Sequence, residues 1–542
     1  MRIYKHIFIL FVSVVFFGCS DDLLDTTPTN KVVDLNYFQN ENDVLLALNA
    51  VYAQNDYYYT SLRYDAISDD AIIQHENQQF YWASRGIATA SDWHIYDLYK
   101  FYYRCVSRAN HLIANLSGVD GIDDDMRLRY EAEARFVRAY SYWVLTSWYG
   151  KVPLITKPID PKEVKTLVRT PVEDVYEFLV KDLDWCAKNL PVSYDSENIG
   201  RATKGAALSL KSKVLLFGKQ YSQAAAAAKE VMDLKVYELY PDYAELFTVD
   251  GENSKETIFE RRLQPNIDGC DHFNAVSFAP NSIGGWSTLI PLQALVDAYE
   301  CTDGKTIAES SLYDPKNPYD HRDPRLGYSI WYPGAEYIDG FVYNSIPGAT
   351  YPGRDVYTGD VPGEGGVGSE ANKTRSGYNI RKYVEGAYYD PRSKNFWYNG
   401  IDIILMRYAE VLLVYAEAKI EANDIDASVY DAITEVRQRA GMPEVDKAVY
   451  NNQETLRELV RRERRVELAF EGKRPFDIRR WRIAEKVFPG VAKGLTYTDP
   501  NSGEEKTFTV GDRSFDPGRD YLWPIPQREM DLCPMFKQNP KY

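Results

Sequence analysis

Three tryptophans, Trp82, Trp286 and Trp331, stand in polar or glycine-containing stretches instead of helical patterns. Amide, carboxylate, guanidinium and imidazole side chains lie near them in the sequence. A sugar ring has apolar C–H faces and a rim of hydroxyl groups, so a protein can hold it with flat aromatic rings flanked by such polar groups. These residue types therefore predict a surface that binds carbohydrate by ring contact and hydrogen bonding.

Three segments combine these residue types. They run from Arg63 to Trp93, from Asn274 to Trp286, and from Trp331 to Tyr357. The candidate ligand-binding residues in them are Trp82, Trp286, Trp331, Arg63, Asp65, His75, Tyr81, Asn274 and Tyr357. Core packing is the alternative for each ring, and the pattern favours it for Trp93, which lies close to a helical stripe of tyrosines at 96, 99 and 103.

The sequence lacks the local motifs of common catalytic and cofactor sites. It contains no GxSxG elbow, no HExxH pair and no phosphate-binding P-loop, and its six histidines show no metal-ligand spacing. The run at 363–368 matches GxGxxG but follows Pro362 instead of a strand, so we interpret it as a loop. We predict a binding protein without cofactor or metal. A glycoside hydrolase is the alternative from another class, because carboxylates are numerous enough to supply an acid and a base.

The composition is that of an acidic folded protein. The 542 residues include 63 basic and 79 acidic side chains, which give a formal charge of −16, and 45% of the residues are hydrophobic. This apolar fraction predicts a packed core. The acidic balance argues against binding to nucleic acid, which requires a basic surface. The aromatic content is high, with 43 Tyr, 22 Phe and 10 Trp, and such rings suit a binding surface as well as a core.

The first residues predict export and lipid attachment. Two basic residues precede an uncharged run at 7–17, which is shorter than the roughly 20 residues that a membrane-spanning helix needs. A glycine and Cys19 follow in the manner of a bacterial lipobox. We therefore expect residues 1–18 to be a lipoprotein signal peptide, Cys19 to be lipidated, and residues 19–40 to form a tether. An ordinary secretory signal that is cut elsewhere is the alternative.

Apolar residues then repeat at helical spacing over 41–240. At 127–148 they recur every four residues, Gly150 provides a stop, and three aspartates at 123–125 suit the helix N-terminus. Two stretches, 206–232 and 409–440, have the pattern of tetratricopeptide-like helical hairpins. Because they lie about 200 residues apart, they predict helices packed around a long insertion instead of a continuous tandem array.

Glycine and proline mark that insertion at 241–400, which holds 18 of the 33 glycines and 12 of the 27 prolines. This composition predicts turns and short strands, which often carry binding residues on a rigid scaffold. Helical patterning returns in the C-terminal region at 401–542. At 457–471 arginines alternate with glutamates, which we interpret as a mutually paired, solvated helix face with room for one buried ion pair. The alternative, more specific interpretation of these arginines is a binding site for phosphate or a polyanion.

Short motifs in a fixed order extend over nearly the whole chain. They include EAEARFVRA at 131–139, YGKVPL at 149–154, RATKGAA at 201–207, RYAEVLL at 407–413, VRQRAG at 436–441, ERRVELAFEGKR at 463–474 and FDIRRW at 476–481. Together they resemble the SusD/RagB lipoproteins of Bacteroidetes. Each motif alone is weak evidence for this resemblance, whereas the occurrence of all of them in this order is specific to that family.

The resemblance implies a mainly α fold, with a tetratricopeptide-like scaffold of four helix pairs and a loop-rich insertion that carries short strands. It implies a non-enzymatic lipoprotein, anchored in the outer membrane through Cys19 and facing the cell exterior. Such a protein captures glycan and presents it to a partner SusC-like TonB-dependent transporter. Binding residues vary within the family, so the resemblance transfers none of them. Capture of peptides or another nutrient is the nearest alternative, and a purely structural helical-repeat adaptor is another.

Overall fold

In a computed structural model of the chain, the described residues are 37–53, 61–267, 271–336, 340–364, 369–384 and 394–542. Cys19 and the predicted signal peptide lie outside the described residues, as does all but the end of the predicted tether. Positions 365–368 of the glycine-rich run also lie outside them.

The N-terminal region is built from helices. In the described residues they are α1 (Glu41–Tyr52), α2 (Trp93–Leu116), α3 (Asp124–Tyr149), α4 (Val172–Asn189), α5 (Lys204–Phe217) and α6 (Tyr221–Asp233). Each of α2 to α6 packs against the helix before it. This arrangement confirms the predicted mainly α fold, and it forms an array in which each helix buries its apolar side against its neighbours.

Helix α3 shows how the local sequence sets the ends of an element. Asp123 caps its N-terminus by accepting a hydrogen bond from the N–H of Asp125 at 2.9 Å. The acidic side chains there also face the positive end of the helix dipole. At the other end Gly150 has φ +68°, a conformation that glycine adopts without steric strain, and its N–H donates to the carbonyl of Thr146 at 3.0 Å. Both predicted ends are confirmed.

Short helices and strands occupy the chain between α6 and residue 400, as its glycine and proline content predicts. The helices are α7 (Asn274–Phe278), α8 (Gln293–Ala298), α9 (Arg325–Ser329) and α10 (Lys394–Trp397).

The strands of the described chain are β1 (Ala71–Ile73), β2 (Thr257–Arg261), β3 (Leu289–Pro291), β4 (Ile330–Trp331), β5 (Val342–Tyr343), β6 (Val356–Tyr357), β7 (Asn379–Ile380), β8 (Ile403–Arg407), β9 (Gly490–Thr498) and β10 (Glu505–Arg513). They pair as β1–β3, β2–β8, β4–β7 and β9–β10, all antiparallel, and as β5–β6, which is parallel.

The C-terminal helices continue the N-terminal array. They are α11 (Tyr408–Glu421), α12 (Ala427–Arg439), α13 (Gln453–Glu467), α14 (Arg474–Arg480), α15 (Ala484–Val487) and α16 (Gln527–Leu532). The hairpins predicted at 206–232 and 409–440 are α5–α6 and α11–α12. Helix α11 packs directly against α6, so the array is continuous in space although the insertion interrupts it in the sequence. None of the described helices combines the length and the apolar character needed to cross a membrane.

A buried network of ion pairs joins the insertion to the C-terminal helices. Its centre is Arg407 at the end of β8, whose guanidinium group makes five hydrogen bonds, one for each of its N–H groups. Nε donates to Glu471, Nη1 donates to Glu256 and Glu467, and Nη2 donates to Glu471 and to the backbone carbonyl of Glu467. All five distances lie between 2.6 and 2.8 Å.

The network contains equal numbers of basic and acidic side chains, and ten of its twelve members are buried. The members are Arg325, Lys382, Arg407, Arg437, Arg439, Arg462, Glu256, Glu300, Asp323, Glu463, Glu467 and Glu471. Burial by itself would raise the pKa of Glu467. The charges of Arg439, Arg407 and Arg325 outweigh burial and hold that pKa well below its ordinary value. The carboxylate is therefore ionised at neutral pH.

This network corrects the interpretation of 457–471 as a solvated helix face. Arg462 and Arg464 donate to Glu300 and Asp477, which belong to neighbouring segments. Much of the charged side of α13 therefore faces the protein interior, and these guanidinium groups are already bound instead of open to a polyanion. Alternating charges in a sequence do not reveal whether the partner of an arginine lies on the same helix or on another element.

We expect Glu467→Gln to lower the free energy of unfolding by about 3–5 kcal/mol, because three arginines of the network lose a shared, fully buried carboxylate. The matched control is Glu177→Gln, which removes an exposed carboxylate paired with Lys181 and should leave the unfolding midpoint almost unchanged. Urea denaturation at neutral pH, followed by circular dichroism, measures both variants. Equal midpoints for the two variants would show that the network does not stabilise the fold.

Candidate functional site

An open cavity at the β1–β3 pair brings two of the predicted site residues, His75 and Trp286, together. Ile73 pairs with Leu289, and the N–H of Gln74 donates to the carbonyl of Thr288 at 3.0 Å. The segment that follows β1 therefore lies beside the segment that precedes β3. The cavity between them has a volume of about 280 Å³ and is lined by His75, Asn77, Gln78, Trp286, Thr288 and Asn372.

Gln74 holds the walls of this cavity together. Its side chain is buried, and Nε2 donates to the carbonyls of Lys373 at 3.2 Å and Trp286 at 3.5 Å. Its Oε1 accepts a hydrogen bond from the N–H of Arg375 at 3.1 Å. One amide group thus joins three segments that are distant in the sequence, and it fixes them before any ligand binds.

His75 lines the cavity and is bound to the opposite wall. Its Nε2 lies 2.8 Å from the carbonyl oxygen of Trp286, and because a carbonyl only accepts, this nitrogen carries the proton. Partial burial lowers the pKa of His75, the bond to the Trp286 carbonyl opposes this effect, and the charge of Arg375 adds to it. The imidazole is therefore neutral at neutral pH, with Nδ1 as an acceptor.

Trp286 is presented by a tight turn. Gly284 has φ +84°, and a Cβ atom at Gly285 would lie 2.1 Å from the carbonyl oxygen of Ala279, so both positions favour glycine. The half-buried indole of Trp286 meets the ring of Trp397 edge to face, with centroids 5.6 Å apart and planes at 67°. Such a T-shaped contact holds the indole of Trp286 in place without a second ring stacked on its face.

A second aromatic pair follows the cavity along the chain. The N–H of Gln78 donates to the carbonyl of His75, and the N–H of Tyr81 donates to the carbonyl of Gln78, so two successive turns lead from the cavity to Tyr81 and Trp82. The guanidinium group of Arg85 covers the Tyr81 ring at 3.6 Å. Trp82 packs edge to face on Tyr81, with centroids 4.9 Å apart, and is 37% exposed. Trp82 is therefore the accessible ring of this pair.

The polar groups of the cavity suit an uncharged, hydroxylated ligand. Asn77, Gln78 and Asn372 supply amides, and the buried hydroxyl of Thr288 has no hydrogen-bond partner among the described residues. Leaving a buried hydroxyl unpaired costs free energy, which a ligand hydroxyl would offset. The described residues that line the cavity include no carboxylate. Nor does any group of His, Cys, Asp and Glu side chains in the described ranges form a metal site.

Three predicted ligand-binding residues are buried, which corrects the expectation that their side chains face a ligand. Trp331 is only 1% exposed, because β4 pairs with β7 and both residues of β4 are buried. Asp65 is buried and accepts hydrogen bonds from the N–H groups of Gly472 at 3.0 Å and Arg474 at 3.3 Å. Asn274 is buried at the start of α7.

Three further residues considered in the sequence analysis, Arg63, Tyr357 and Trp93, differ in where the structure places them. Arg63 donates from Nη2 to the hydroxyl of Ser277 at 3.1 Å, so it supports α7 and does not line the cavity. Tyr357 lies opposite Tyr343 in the β5–β6 pair, and its side chain is outside the described part of the structure. Trp93, expected in the core, is 54% exposed, because it is the first residue of α2 and precedes the packed turns of that helix.

Sequence reasoning missed Trp397, Thr288 and Asn372. A signal for Trp397 is present, since the segment 395–399 places three aromatic residues between two asparagines. Thr288 and Asn372 carry no comparable signal. The β1–β3 pairing and the hydrogen bonds of Gln74 bring them to the cavity, and neither can be derived from local composition.

A larger cavity of about 630 Å³ lies between α1, α2 and the segment 155–159. Its lining contains Tyr103 and His111 but no tryptophan and none of the predicted site residues. Arg108, on its wall, donates to the carbonyl of Ala50 at 2.9 Å and thereby joins two helices. The smaller cavity is therefore the better candidate for the functional site.

A helical array that carries a loop-built cavity of indole and amide groups defines a class of ligand-binding protein, and comparison with known proteins identifies the family. The profile of the SusD family matches residues 248–542. A second profile, described as "Starch-binding associating with outer membrane", matches residues 22–216. The chain belongs to the SusD family, which confirms the resemblance found in its motifs.

Three relatives show how far the similarity extends. A crystal structure of a SusD-like carbohydrate binding protein from Bacteroides fragilis is 30% identical, with a TM-score of 0.81 over 92% of this chain and 100% of that chain. SusD-like protein P25 from Formosa agariphila is 24% identical over 99% of this chain and 98% of its own. Starch-binding protein SusD from Bacteroides thetaiotaomicron is 25% identical over 68% of this chain and 66% of its own. The first two alignments cover almost the whole of this chain.

His272 connects the wall that carries Trp286 with the segment after Trp397. Its Nε2 donates to the carbonyl of Ile401 at 3.1 Å, and its Nδ1 accepts a hydrogen bond from the N–H of Asn274 at 3.0 Å. Burial lowers the pKa of His272 to about 4. The bond from Asn274 requires the neutral ring, because a protonated Nδ1 would face an N–H donor.

We expect the free energy of unfolding to decrease as the pH falls from about 6.5 to 4, since the unfolded chain then binds a proton at His272 and the folded protein does not. The shift corresponds to at most about 3 kcal/mol. His272→Asn removes this titrating ring and should lower the slope of this part of the profile, to which His94 also contributes because burial lowers its pKa to about 4 as well. Exposed His321 gives the matched control His321→Asn, which should keep the wild-type slope. Urea denaturation at a series of pH values measures the slopes, and equal slopes for wild type and His272→Asn would contradict this assignment.

Proposed function

We propose that this protein is a cell-surface carbohydrate-binding lipoprotein, which captures poly- or oligosaccharide and delivers it to a partner SusC-like TonB-dependent transporter of the outer membrane. The observation that carries the proposal is the cavity at the β1–β3 pair. There the half-buried indole of Trp286 shares one space with neutral hydrogen-bonding groups. The ring suits the C–H face of a sugar, and the amides, the Thr288 hydroxyl and Nδ1 of His75 suit its hydroxyl groups.

Binding in such a site is the sum of several weak contacts. By analogy with aromatic pairs, one ring contributes about 0.5–1.5 kcal/mol beyond the area that it buries, so Trp286 and Trp82 must act together with the hydrogen bonds. Gln74 and Arg85 hold the surrounding segments before a ligand arrives. A site fixed in advance avoids part of the cost of ordering groups on binding.

The relatives support carbohydrate as the ligand class. The similar protein from Bacteroides fragilis is described as carbohydrate binding, and that from Bacteroides thetaiotaomicron as starch-binding. The profile that matches the N-terminal region is described as associating with the outer membrane, which supports the proposed location. Delivery to a transporter is supported by the resemblance of the sequence motifs to the SusD/RagB lipoproteins.

A glycoside hydrolase is the alternative from another class, and it would need two carboxyl groups on opposite sides of the scissile bond. The described residues that line the cavity provide none, which favours binding over hydrolysis. Capture of a peptide would place charged termini or side chains in a cavity whose polar groups are uncharged. Neutral glycan is therefore the better match.

We expect the double variant Trp286→Ala, Trp397→Ala to lose most of the affinity for the polysaccharide that the wild-type protein binds. Trp286 contributes roughly two- to tenfold by stacking energy alone, and Trp397 holds Trp286 in place. The matched control is Trp185→Ala, which removes a half-buried indole from α4 outside the described cavities and should keep wild-type retention. Affinity gel electrophoresis with a panel of soluble polysaccharides measures retention.

The same panel of polysaccharides distinguishes the alternative functions. Release of reducing sugar during incubation would identify a hydrolase. Retention that is equal in the double variant and the wild type would refute the site at Trp286. Binding of peptides in place of glycans would replace the ligand class, and binding of neither would favour a structural adaptor.

We also propose that Cys19 carries the lipid that attaches the mature chain to the membrane. Cys19→Ala should shift the protein from the membrane fraction to the soluble fraction and abolish labelling by a clickable fatty acid. Cys533→Ala, which removes a buried thiol at the other end of the chain, is the matched control and should remain labelled. Labelling of the Cys19→Ala variant at the wild-type level would contradict the proposal.

A further inference from the structure

A third cavity, with a different set of rings, lies between the insertion and the β9–β10 hairpin. We call it the tyrosine groove and define it by Tyr319, Tyr332, Tyr351, Tyr497, Lys316 and Asp320. Its volume is about 560 Å³, twice that of the cavity at Trp286. We propose that the tyrosine groove is a second glycan subsite, which binds another stretch of the polysaccharide held at Trp286. This inference rests on the proposed function.

The rings of the insertion wall are fixed in place. Tyr319 and Tyr332 stack with centroids 4.0 Å apart and planes at 18°. The hydroxyl of Tyr378 donates to Oε1 of Gln293 at 2.7 Å, so the hydroxyl of Tyr319, at 3.2 Å from it, donates to Tyr378. The oxygen of Tyr319 keeps its capacity to accept a hydrogen bond from a ligand hydroxyl.

A tight turn sets the position of Tyr332 and Tyr351. The N–H of Ala335 donates to the carbonyl of Tyr332 at 3.0 Å, and Gly334 adopts φ +93° within this turn. A Cβ atom at Gly334 would lie 3.4 Å from the ring of Tyr351. Tyr332 follows the buried strand β4 and is itself half-buried among the residues that line the groove. The accessible ring of this segment is therefore Tyr332.

The opposite wall comes from the β9–β10 hairpin. Tyr497 pairs with Lys506 in the register of the hairpin, and its ring packs against Phe508 with centroids 5.4 Å apart. The hairpin is attached to the insertion by a hydrogen bond from the N–H of Leu495 to the carbonyl of Ser376 at 2.8 Å. Half-buried tyrosines thus face one another from two elements that are distant in the sequence.

The charges of the groove favour a neutral ligand. Lys316 and Asp320 are exposed and of opposite sign, so they provide no net field for an anion or a cation. Tyrosine combines a flat apolar ring with a hydroxyl group, and it can therefore contact both the faces and the rim of a sugar. The groove and the cavity at Trp286 have this chemistry in common.

The two sites are close enough for one polymer to occupy both. Asn372 lines the cavity at Trp286, and Ser376 is hydrogen-bonded to Leu495 of the groove wall. Four residues of chain span at most about 14 Å. A ligand that reaches from one site to the other gains from the high effective concentration of its second contact, whereas a short ligand does not.

Two single variants from opposite walls test the inference, Tyr332→Ala and Tyr497→Ala. Each should weaken binding of the polysaccharide selected by the retention panel by about two- to tenfold and leave binding of the corresponding disaccharide at Trp286 unchanged. Tyr240→Ala, a half-buried tyrosine outside both sites, is the matched control. Isothermal titration calorimetry measures the affinities, and thermal denaturation verifies that each variant is folded.

The outcomes distinguish the second subsite from the proposed function. If both groove variants bind polysaccharide as tightly as the wild type while Trp286→Ala, Trp397→Ala does not, the inference is wrong and the proposed function stands. If the wild-type protein binds no glycan at all, both are wrong. Equal losses for the polysaccharide and the disaccharide would show that the groove variants disturb the first site, which would also overturn the inference.

Discussion

The architecture depends on charge pairing in the protein interior. Arg407 lies at the end of β8, immediately before the array helix α11, and its guanidinium group binds carboxylates from the segment before β2 and from the end of α13. Buried charges are tolerated only when nearly every hydrogen-bonding position is filled, as it is around Arg407. The network therefore joins the insertion to the helices that carry it.

The candidate site is also held together by buried side chains that hydrogen-bond to several segments, but here these side chains are uncharged. Gln74 uses both ends of one amide to hold three segments, and His272 uses both ring nitrogens, which requires the neutral imidazole. The site is thereby organised before ligand arrives, although its segments are loops and short strands. Rigid positioning matters for a protein that binds through several weak contacts, because each group that must be ordered on binding reduces the affinity.

The cavity at Trp286 and the tyrosine groove share one design, in which half-buried rings lie beside neutral or balanced polar groups. Such surfaces suit long neutral polymers, whose successive units present the same faces and hydroxyl rims. Two moderate sites on one rigid body favour a polymer over its fragments. This preference would suit a protein that captures nutrient at the cell surface and passes it on.

The sequence by itself determined the class of fold, the ends of α3, the two helical hairpins and, through ordered motifs, the family. These depend on local periodicity and capping, which act within a few residues. It also indicated His75, Tyr81, Trp82 and Trp286 by composition. The tertiary structure alone decided that Trp331, Asp65 and Asn274 are buried, that Thr288 and Asn372 join the site, and that the arginines of α13 face inward. Whether a side chain is buried or exposed depends on strand register and on hydrogen bonds between segments that are distant in the sequence. No local sequence pattern encodes either of these.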